Sequence, residues 1–426
     1  MNLPVVAKES DSALPSGPLQ LSWASSCMQG WRIGMEDAHI CLPTLPGAED
    51  VAMFGVFDGH GGEQVANFCE KRLAEEFMLY AEKRPLDKNN LKDALKHSFI
   101  RMDDLLRESG RSWSSPRASN GLMSCDPLYV GCTACVSCIT ERDIIVANAG
   151  DSRAVLCRAG RAVPLSKDHK PNDPEERRRI VAAGGYVERQ VSIAGVQYRV
   201  NGNLNLSRAL GDLEYKKDRM RNPAEQIISG VPDIEVIERT PEDEFLIICC
   251  DGIWDMRSNQ EVVDFVRSRL TTPRGSRTEI GTLERLLDTC MSRDLRFTKG
   301  LGGDNMTAVL VRFPLKEEQG ISAADWPRLL GTRLNHPDNH KIKPGILEVK
   351  VALPDGCGVG DVDLRLQEVA AQLEVAVRSH ELPLTVDLSR HLPAGTKLQA
   401  GEPAARFYPG SGRLRIRLYW HRALTA

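Results

Sequence analysis

The chain of 426 residues lacks a strong excess of charge of either sign. Its 55 lysines and arginines face 58 aspartates and glutamates, which gives a formal net charge of −3 at pH 7. A protein that binds nucleic acid mainly through phosphates needs a basic surface. The composition therefore gives no electrostatic reason to expect a nucleic-acid partner.

Long hydrophobic runs are also missing. A membrane-spanning helix needs about 20 apolar residues, and the densest run, residues 245–250 (FLIICC), is the size of a strand. The first residues carry neither the basic nor the apolar segment of a secretory leader. Residue 2 is Asn2, not the glycine that N-myristoylation requires. We therefore expect no membrane partner.

Twelve cysteines are present, several of them inside apolar runs. This pattern indicates buried thiols in a reducing compartment. With 42% hydrophobic and 27% charged residues, the composition predicts a soluble intracellular protein. We expect it in the cytoplasm, with the nucleus and the cilium as open alternatives.

Changes in composition and hydrophobic pattern along the chain predict four segments. Residues 1–20 are rich in serine and proline and predict a flexible arm. Residues 21–314 alternate short apolar strands with long helical patterns, which favours an α+β fold of hairpinned strands with helices. Residues 315–345 are polar and predict a linker. Residues 346–421 repeat a period-two pattern, which predicts a small all-β sandwich.

Within residues 21–314 the hydrophobic periodicity gives approximate element positions. The predicted strands are 51–57, 131–139, 143–148, 154–158, 245–250 and 306–313. The predicted helices are 63–82, 91–108, 174–183, 259–270 and 283–295. Residues 111–127 and 271–277 are predicted to be surface loops.

Four acidic residues lie beside apolar strand runs: Asp58 in FGVFDGHGG, Asp151 in ANAGDSRAVL, Asp251 in FLIICCDGIWD and Asp304 in GGDNMTAVLV. A carboxylate at the end of a buried strand is costly unless something positive meets it. If these strand ends meet at one rim, they form an all-oxygen cavity suited to Mg²⁺ or Mn²⁺. The alternative is that each is an ordinary turn aspartate, but four such motifs together favour a metal site.

Neighbouring residues supply the other groups of a phosphate reaction. Arg32 has the planar fork that binds a phosphoryl group, and His60 can protonate a leaving alkoxide. Glu36 and Asp37 lie close to Arg32 in sequence and could hold metal-bound water. Taken alone, His60 would be a structural surface histidine; its position beside Asp58 favours catalysis.

These motifs resemble those of the protein phosphatase 2C family, which are metal-dependent protein serine/threonine phosphatases. The resemblance runs from about residue 27 to 313, some two-thirds of the chain. It is carried by MQGWRIGMEDAH, FGVFDGHGG, GCTACV, VANAGDSRAVL, LSKDHKP, LNLSRALGD, DEFLIICCDGIWD and GGDNMTAVLV. It implies an antiparallel β-sandwich flanked by helices on both faces, and phosphoprotein substrates.

The resemblance also implies two Mg²⁺ or Mn²⁺ ions and a weaker third, a water that attacks phosphorus in line, and no phosphoenzyme. The implied ligands are Asp58 as the bridge, the Gly59 carbonyl, Asp251 and Asp304 for the first ion, Glu36 for the second, and Asp151, Asp251 and Asp255 for the third. Arg32 matches the phosphate-binding arginine and His60 the general acid, with Asp37 and Asn305 in supporting positions. None of these positions departs from the family pattern. The alternative from another class is a scaffold that docks phosphoproteins with little turnover.

Cysteine and arginine clusters are rival candidates for a functional site. Cys132, Cys135 and Cys138 form a C-x-x-C-x-x-C run, but its β-like pattern predicts buried strand cysteines with Cys135 on the opposite face from the other two. Neither Cys125 nor Cys157 offers the Cys-x5-Arg loop of a cysteine-dependent phosphatase. The arginines at 177–179 could favour acidic substrates, although a solvated helix face is the preferred interpretation.

Residues 346–421 resemble the CS/α-crystallin-like β-sandwich that ends PIH-domain proteins, on strand pattern and the spacing of LP and A-x-F. Members of that type act as chaperone cofactors, including in ciliary dynein assembly. The resemblance implies a protein-interaction module that recruits a chaperone, a client or a ciliary-assembly partner. The alternative is a small β-domain that packs on the catalytic domain.

Overall fold

The computed structural model describes residues 3–82, 84–113, 126–192, 195–270 and 276–314, together with eight strands from residue 328 onward. The chain divides into two compact units, Met1–Leu315 and Lys316–Ala426.

The first unit contains sixteen strands and seven α-helices among the described residues. The strands are β1 (Val5–Ser16), β2 (Leu21–Gly30), β3 (Ala38–Leu42), β4 (Ala52–Phe57), β5 (Gly59–His60), β6 (Gly131–Cys132), β7 (Ala134–Ile139), β8 (Asp143–Ala149), β9 (Arg153–Arg158), β10 (Arg161–Pro164), β11 (Val187–Ser192), β12 (Gly195–Val200), β13 (Leu210–Gly211), β14 (Asp233–Glu238), β15 (Asp243–Cys249) and β16 (Met306–Arg312). The helices are α1 (Gln64–Ala81), α2 (Lys88–Trp113), α3 (Pro174–Ala182), α4 (Asp251–Trp254), α5 (Asn259–Arg267), α6 (Ser276–Cys290) and α7 (Leu295–Thr298).

Two antiparallel sheets form the centre of this unit. One has six strands in the order β1-β2-β16-β15-β9-β10, and the other has five in the order β14-β8-β7-β4-β3. Helices α1 and α2 contact the five-stranded sheet, and α5 and α6 contact the six-stranded sheet. The predicted α+β architecture with helices on both faces is confirmed for this unit.

Alternation along β4 shows why the five-stranded sheet lies between two cores. Phe54 and Val56 join the core that contains the six-stranded sheet. Met53 and Phe57 point the other way, into the core under α1 and α2. Since successive strand residues face opposite sides, an uninterrupted apolar run such as AMFGVF is the pattern of a strand buried on both faces.

Helix ends follow local capping chemistry. The Asp173 side chain accepts a hydrogen bond from the Glu175 amide ahead of α3, with Pro174 at the first helical position. Ser258 and Glu261 form a capping box at α5.

The predicted helix 283–295 differs most from the structure: α6 begins at Ser276 and ends at Cys290. Helix α2 reaches Trp113, inside the predicted loop 111–127; residues 114–125 and 271–275 lie outside the described residues.

The structure corrects the prediction of a flexible arm over residues 1–20. Strand β1 pairs with β2, with Ser10 opposite Ser26, and lies against α6 through Lys8–Asp288 (2.6 Å) and Ser10–Glu284 (3.0 Å). The polar composition of β1 is typical of an edge strand. Its apolar alternation is too weak to predict a strand from composition.

The cysteine pattern is confirmed. Cys135 lies in the core of the six-stranded sheet, whereas Cys132 and Cys138 lie in the core under α1 and α2. Burial raises the pKa of the Cys135 and Cys138 thiols to about 12. They remain protonated at neutral pH, so they are poor metal ligands.

The second unit forms two antiparallel sheets, ordered β17-β18-β24-β22 with β23 also paired to β24, and β19-β20-β21. Its strands are β17 (Arg328–Asn335), β18 (Gly345–Ala352), β19 (Val362–Gln367), β20 (Gln372–Val377), β21 (Leu384–Asp387), β22 (Thr396–Leu398), β23 (Ala404–Tyr408) and β24 (Arg413–Arg422). Strand β17 corrects the prediction that 315–345 is only a linker, because it pairs along β18. Its glycine interrupts the alternation, which hid the strand from periodicity. The other residues of 315–344 lie outside the described residues.

The pairing of β1 predicts that removing residues 1–16 destabilises the protein. Because β1 pairs with β2 along most of its length and each hydrogen bond contributes about 1 kcal/mol net, we expect the free energy of unfolding to fall by at least about 2 kcal/mol. This corresponds to a melting temperature lower by at least roughly 4 °C. Removal of residues 1–4, which precede the strand, is the control and leaves the melting temperature unchanged. Equal melting temperatures for the full chain and the 17–426 fragment would contradict the pairing.

Candidate active site

The four predicted carboxylates, Asp58, Asp151, Asp251 and Asp304, lie at one end of the two central sheets and form what we call the rim. Strand topology explains why they meet there. Asp58 and Asp151 follow β4 and β8, which both pair antiparallel with β7 and therefore end on the same edge. Asp251 follows β15, and Asp304 precedes β16. Because β15 and β16 are antiparallel neighbours with Cys249 opposite Ala308, the end of one strand meets the start of the other.

Burial, reinforced by repulsion between carboxylates, dominates the electrostatics of this rim. Burial, followed by the negative charges of Asp251, Asp37, Asp151 and Asp304, raises the pKa of Asp58 well above its usual value. Burial and the same kind of repulsion, from Asp151 first, raise the pKa of Asp251. Burial and the neighbouring negative charges thus make ionisation of Asp58 and Asp251 harder, as in a site built to share a cation.

The segment before β3 brings Glu36 and Asp37 to the same rim. The Asn305 side-chain oxygen accepts a hydrogen bond from the Glu36 amide at 2.9 Å, and Asp37 accepts one from the Thr307 hydroxyl at 2.7 Å. Burial raises the pKa of Asp37 to about 7, against the hydrogen bond from Thr307, which lowers it. Burial likewise raises the pKa of Glu36.

Gly59 packs so closely against the segment that contains Glu36 that no β-carbon fits between them. A β-carbon on Gly59 would lie 2.2 Å from the Glu36 carbonyl oxygen. Only glycine therefore allows the chain after Asp58 to pass so close to Glu36, which leaves the Gly59 backbone at the rim.

Two basic side chains pair with rim carboxylates. Arg32, more than half exposed, donates to Asp304 at 2.7 Å. Lys170 donates to the buried Asp151 at 2.5 Å. Asp255 is exposed one turn after Asp251, beside this second pair.

His60 lies next to the rim and is held by a partner from a distant segment. Its Nε2 is 2.7 Å from Oδ2 of Asp212, which is almost completely buried. Burial alone would lower the pKa of His60, but the Asp212 carboxylate raises it above the usual value. The pair therefore favours a protonated imidazole.

The structure brings the predicted residues together at one rim and adds four neighbours that the sequence patterns do not single out. Lys170 and Asp212 lie in LSKDHKP and LNLSRALGD, which carried the resemblance without being assigned a role. Thr133 accepts from the Asp58 amide at 3.2 Å and bonds Ser152 at 2.7 Å. The fourth is Cys250.

The donor chemistry of the rim fits hard divalent cations. Asp37, Asp58 and Cys250 place possible ligand atoms within 4.8 Å of one another. Burial raises the pKa of the Cys250 thiol far above neutral, so the usable donors are carboxylate and carbonyl oxygens. Such a set suits Mg²⁺ or Mn²⁺ better than Zn²⁺.

Comparison with known proteins identifies the fold family. The family model for protein phosphatase 2C matches residues 22–295. A probable protein phosphatase 2C (number 42) of Oryza sativa is 40% identical over 354 residues, covering 78% of this chain and 95% of the relative. The chain belongs to the protein phosphatase 2C family.

A further relative agrees with this membership, and a solved structure agrees with the fold. Protein phosphatase 2C homolog 2 of Schizosaccharomyces pombe is 38% identical over 352 residues, covering 82% of this chain and 86% of the relative. The crystal structure of a serine-threonine phosphatase 2C from Toxoplasma gondii has a TM-score of 0.57 at 21% identity and covers 72% of this chain and 99% of that one.

This family member is therefore a protein serine/threonine phosphatase that acts on phosphoproteins. The family is metal-dependent, which agrees with the oxygen donors of the rim. Among the described residues no helix is both long and apolar enough to cross a bilayer.

Crowded negative charge predicts that Asp58→Asn stabilises the metal-free protein. Removing one repelling buried charge should raise the free energy of unfolding by about 1–2 kcal/mol, as is common when active-site strain is relieved. The measurement is the melting temperature in EDTA. Mg²⁺ should raise the melting temperature of the wild type more than that of the variant.

Asp243→Asn is the control, since Asp243 is a buried carboxylate that is paired with Arg158 at 2.6 Å. Asp243→Asn should lower the melting temperature, because it leaves Arg158 without its charged partner. A lower melting temperature for Asp58→Asn in EDTA would contradict the repulsion.

Proposed function

We propose that this chain hydrolyses phosphoserine and phosphothreonine in proteins at the carboxylate rim, with Mg²⁺ or Mn²⁺, by direct in-line attack of water and without a phosphoenzyme. The observation that carries the proposal is the convergence of Asp58, Asp151, Asp251 and Asp304 from two sheets, where burial and mutual repulsion raise the pKa of Asp58 and Asp251. Four carboxylates held this way need positive charge.

The ligand set proposed for two ions is Asp58 as the bridge, the Gly59 carbonyl, Asp251, Asp304 and, through water, Glu36, with Asp37 and Asn305 in support. When bound, a pair of divalent cations lowers the pKa of water enough for it to act as a nucleophile at neutral pH. Asp151, Asp251 and Asp255 would hold a third ion more weakly, because Lys170 already neutralises Asp151.

Arg32 is the proposed phosphate-binding residue. Its guanidinium lies at the mouth of the rim, bound to Asp304 and mostly exposed, and its planar fork matches two phosphoryl oxygens. There it stabilises the negative charge that spreads over the equatorial oxygens during transfer.

His60 is the proposed general acid. Held by Asp212 and favoured in its protonated form, it gives a proton to the seryl or threonyl Oγ as the bond between phosphorus and Oγ breaks. The products are the free hydroxyl side chain and inorganic phosphate.

Hydrolysis of a phosphothreonine peptide tests this mechanism. We expect hydrolysis that needs Mn²⁺ or Mg²⁺ and stops in EDTA. Arg32→Ala should lower kcat/KM by roughly 10²–10³-fold, the usual cost of one group that stabilises transition-state charge. The control is Arg269→Ala, whose guanidinium lies over the Phe265 ring and contacts Phe265 and Ser268, and whose activity should equal that of the wild type.

Activity that persists in EDTA, or Arg32→Ala activity equal to wild type, would overturn the mechanism. Metal-dependent peptide binding without turnover would instead favour the scaffold, in which the fold docks phosphoproteins.

We also propose that the second unit is a CS/α-crystallin-like sandwich that recruits a chaperone, a client or a ciliary-assembly partner, with the cytoplasm as the site of action. The support is the pairing of its apolar runs: Leu347 lies opposite Leu418, Val349 opposite Ile416 and Leu364 opposite Val375. Recruitment would supply the selectivity that a phosphate-binding site lacks.

Removing residues 316–426 tests this role. Because every proposed catalytic residue lies in the first unit, the 1–315 fragment should hydrolyse the peptide at the wild-type rate. It should lose chaperones that co-precipitate with the full chain from a ciliated-cell lysate. An unchanged partner set would contradict recruitment.

A further inference from the structure

A three-stranded sheet beside the rim aligns three segments that are far apart in sequence. Its strand order is β13-β6-β5. Gly131 in the central strand β6 lies opposite His60 on one side and opposite Gly211 on the other. Side chains on the two outer strands would normally be separated by about two strand spacings, roughly 10 Å.

A left-handed turn after β13 closes that gap. Gly211 has φ +77° and Asp212 has φ +48° and ψ +42°. For a residue with a β-carbon this conformation costs about 1–2 kcal/mol, although aspartate tolerates it better than most. The turn brings the buried Asp212 carboxylate over Gly131 to within 2.7 Å of His60 Nε2.

Helix capping does not account for Asp212. It occupies the N-cap position of the 3₁₀ helix Leu213–Lys216, where aspartate is common, but its side chain makes no capping hydrogen bond. The carboxylate is used for His60 instead. Asp212 thus has both a buried side chain and a disfavoured backbone conformation, and its hydrogen bond to His60, the proposed general acid, accounts for both.

Gly131 provides the space for this hydrogen bond. A β-carbon at position 131 would lie 2.4 Å from Asp212 Oδ2 and 2.6 Å from His60 Nε2. Its backbone is not in the left-handed region, so a larger residue is excluded by the pair above it and not by conformation.

A buried ion pair fixes the turn from behind. Asp103 in α2 accepts from the Gly211 amide at 2.9 Å and pairs with Lys216 at 2.6 Å. Lys216 also donates to the Ala209 carbonyl at 2.6 Å. The residues on both sides of Asp212 are therefore anchored to α2.

We infer that Asp212 is a positioning residue for the acid step, with Gly131 as the space that lets it reach His60. The inference rests on the proposed role of His60. Because Nε2 is engaged by Asp212, the transferable proton is delivered from Nδ1. As water adds to phosphorus and the bond to Oγ breaks, the electron pair stays on Oγ and takes that proton.

The test compares two leaving groups, since a threonine alkoxide needs a proton and p-nitrophenolate does not. With the metal-loaded full chain, Asp212→Asn should lower kcat on a phosphothreonine peptide roughly 10–100-fold, as loss of an orienting partner does, but kcat on p-nitrophenyl phosphate less than about 3-fold. Asparagine tolerates the left-handed backbone, so the variant keeps the turn. Gly131→Ala should give the same selective loss, although it removes no polar group.

Controls separate this inference from the proposed function. The quantity compared is the ratio of kcat on the phosphothreonine peptide to kcat on p-nitrophenyl phosphate. Asp243→Asn, which removes a buried carboxylate at the opposite end of β15, should leave this ratio unchanged. His60→Ala should lower the ratio, and adding Asp212→Asn to it should lower it no further. If His60→Ala slows both substrates equally, the general-acid proposal fails. If His60→Ala is selective but neither Asp212→Asn nor Gly131→Ala is, the positioning role is overturned.

Discussion

Repulsion between carboxylates is the constraint on which the rest of the first unit depends. Crowded negative side chains can be held together only where the surrounding structure is too well packed to let them separate. Here the strands that precede or follow them are fully buried, as in Phe245–Ile248 of β15. The packed hydrophobic core thus holds the carboxylates close together, although their crowding is unfavourable without positive charge between them.

Two basic side chains of the protein moderate that repulsion. Lys170 pairs with the buried Asp151, whereas Arg32 pairs with Asp304 at the surface, where the ion pair is weak because water screens it. The difference in burial suits different tasks. Lys170 balances the charge of a buried carboxylate, and in the proposed mechanism Arg32 exchanges Asp304 for a phosphoryl group.

The sequence was sufficient to predict features that depend on local pattern. Asp58, Asp151, Asp251 and Asp304 could be found because each lies at the end of an apolar run, and strand ends of a sandwich share an edge. The bond between His60 and Asp212 could not be predicted, since it depends on a left-handed turn 152 residues away. Strand β1 was missed for another reason: an edge strand can be polar throughout, so periodicity does not distinguish it from a loose segment.

The turn between β7 and β8 follows from the same topology. Both strands have their other ends at the rim, so the exposed Glu141 and Arg142 lie a full strand length away, roughly 23 Å for the seven residues of β8. A fluorophore or an epitope peptide attached there would report on the folded protein without approaching the phosphoester. The hairpin thus offers a handle for imaging or immobilising the working enzyme.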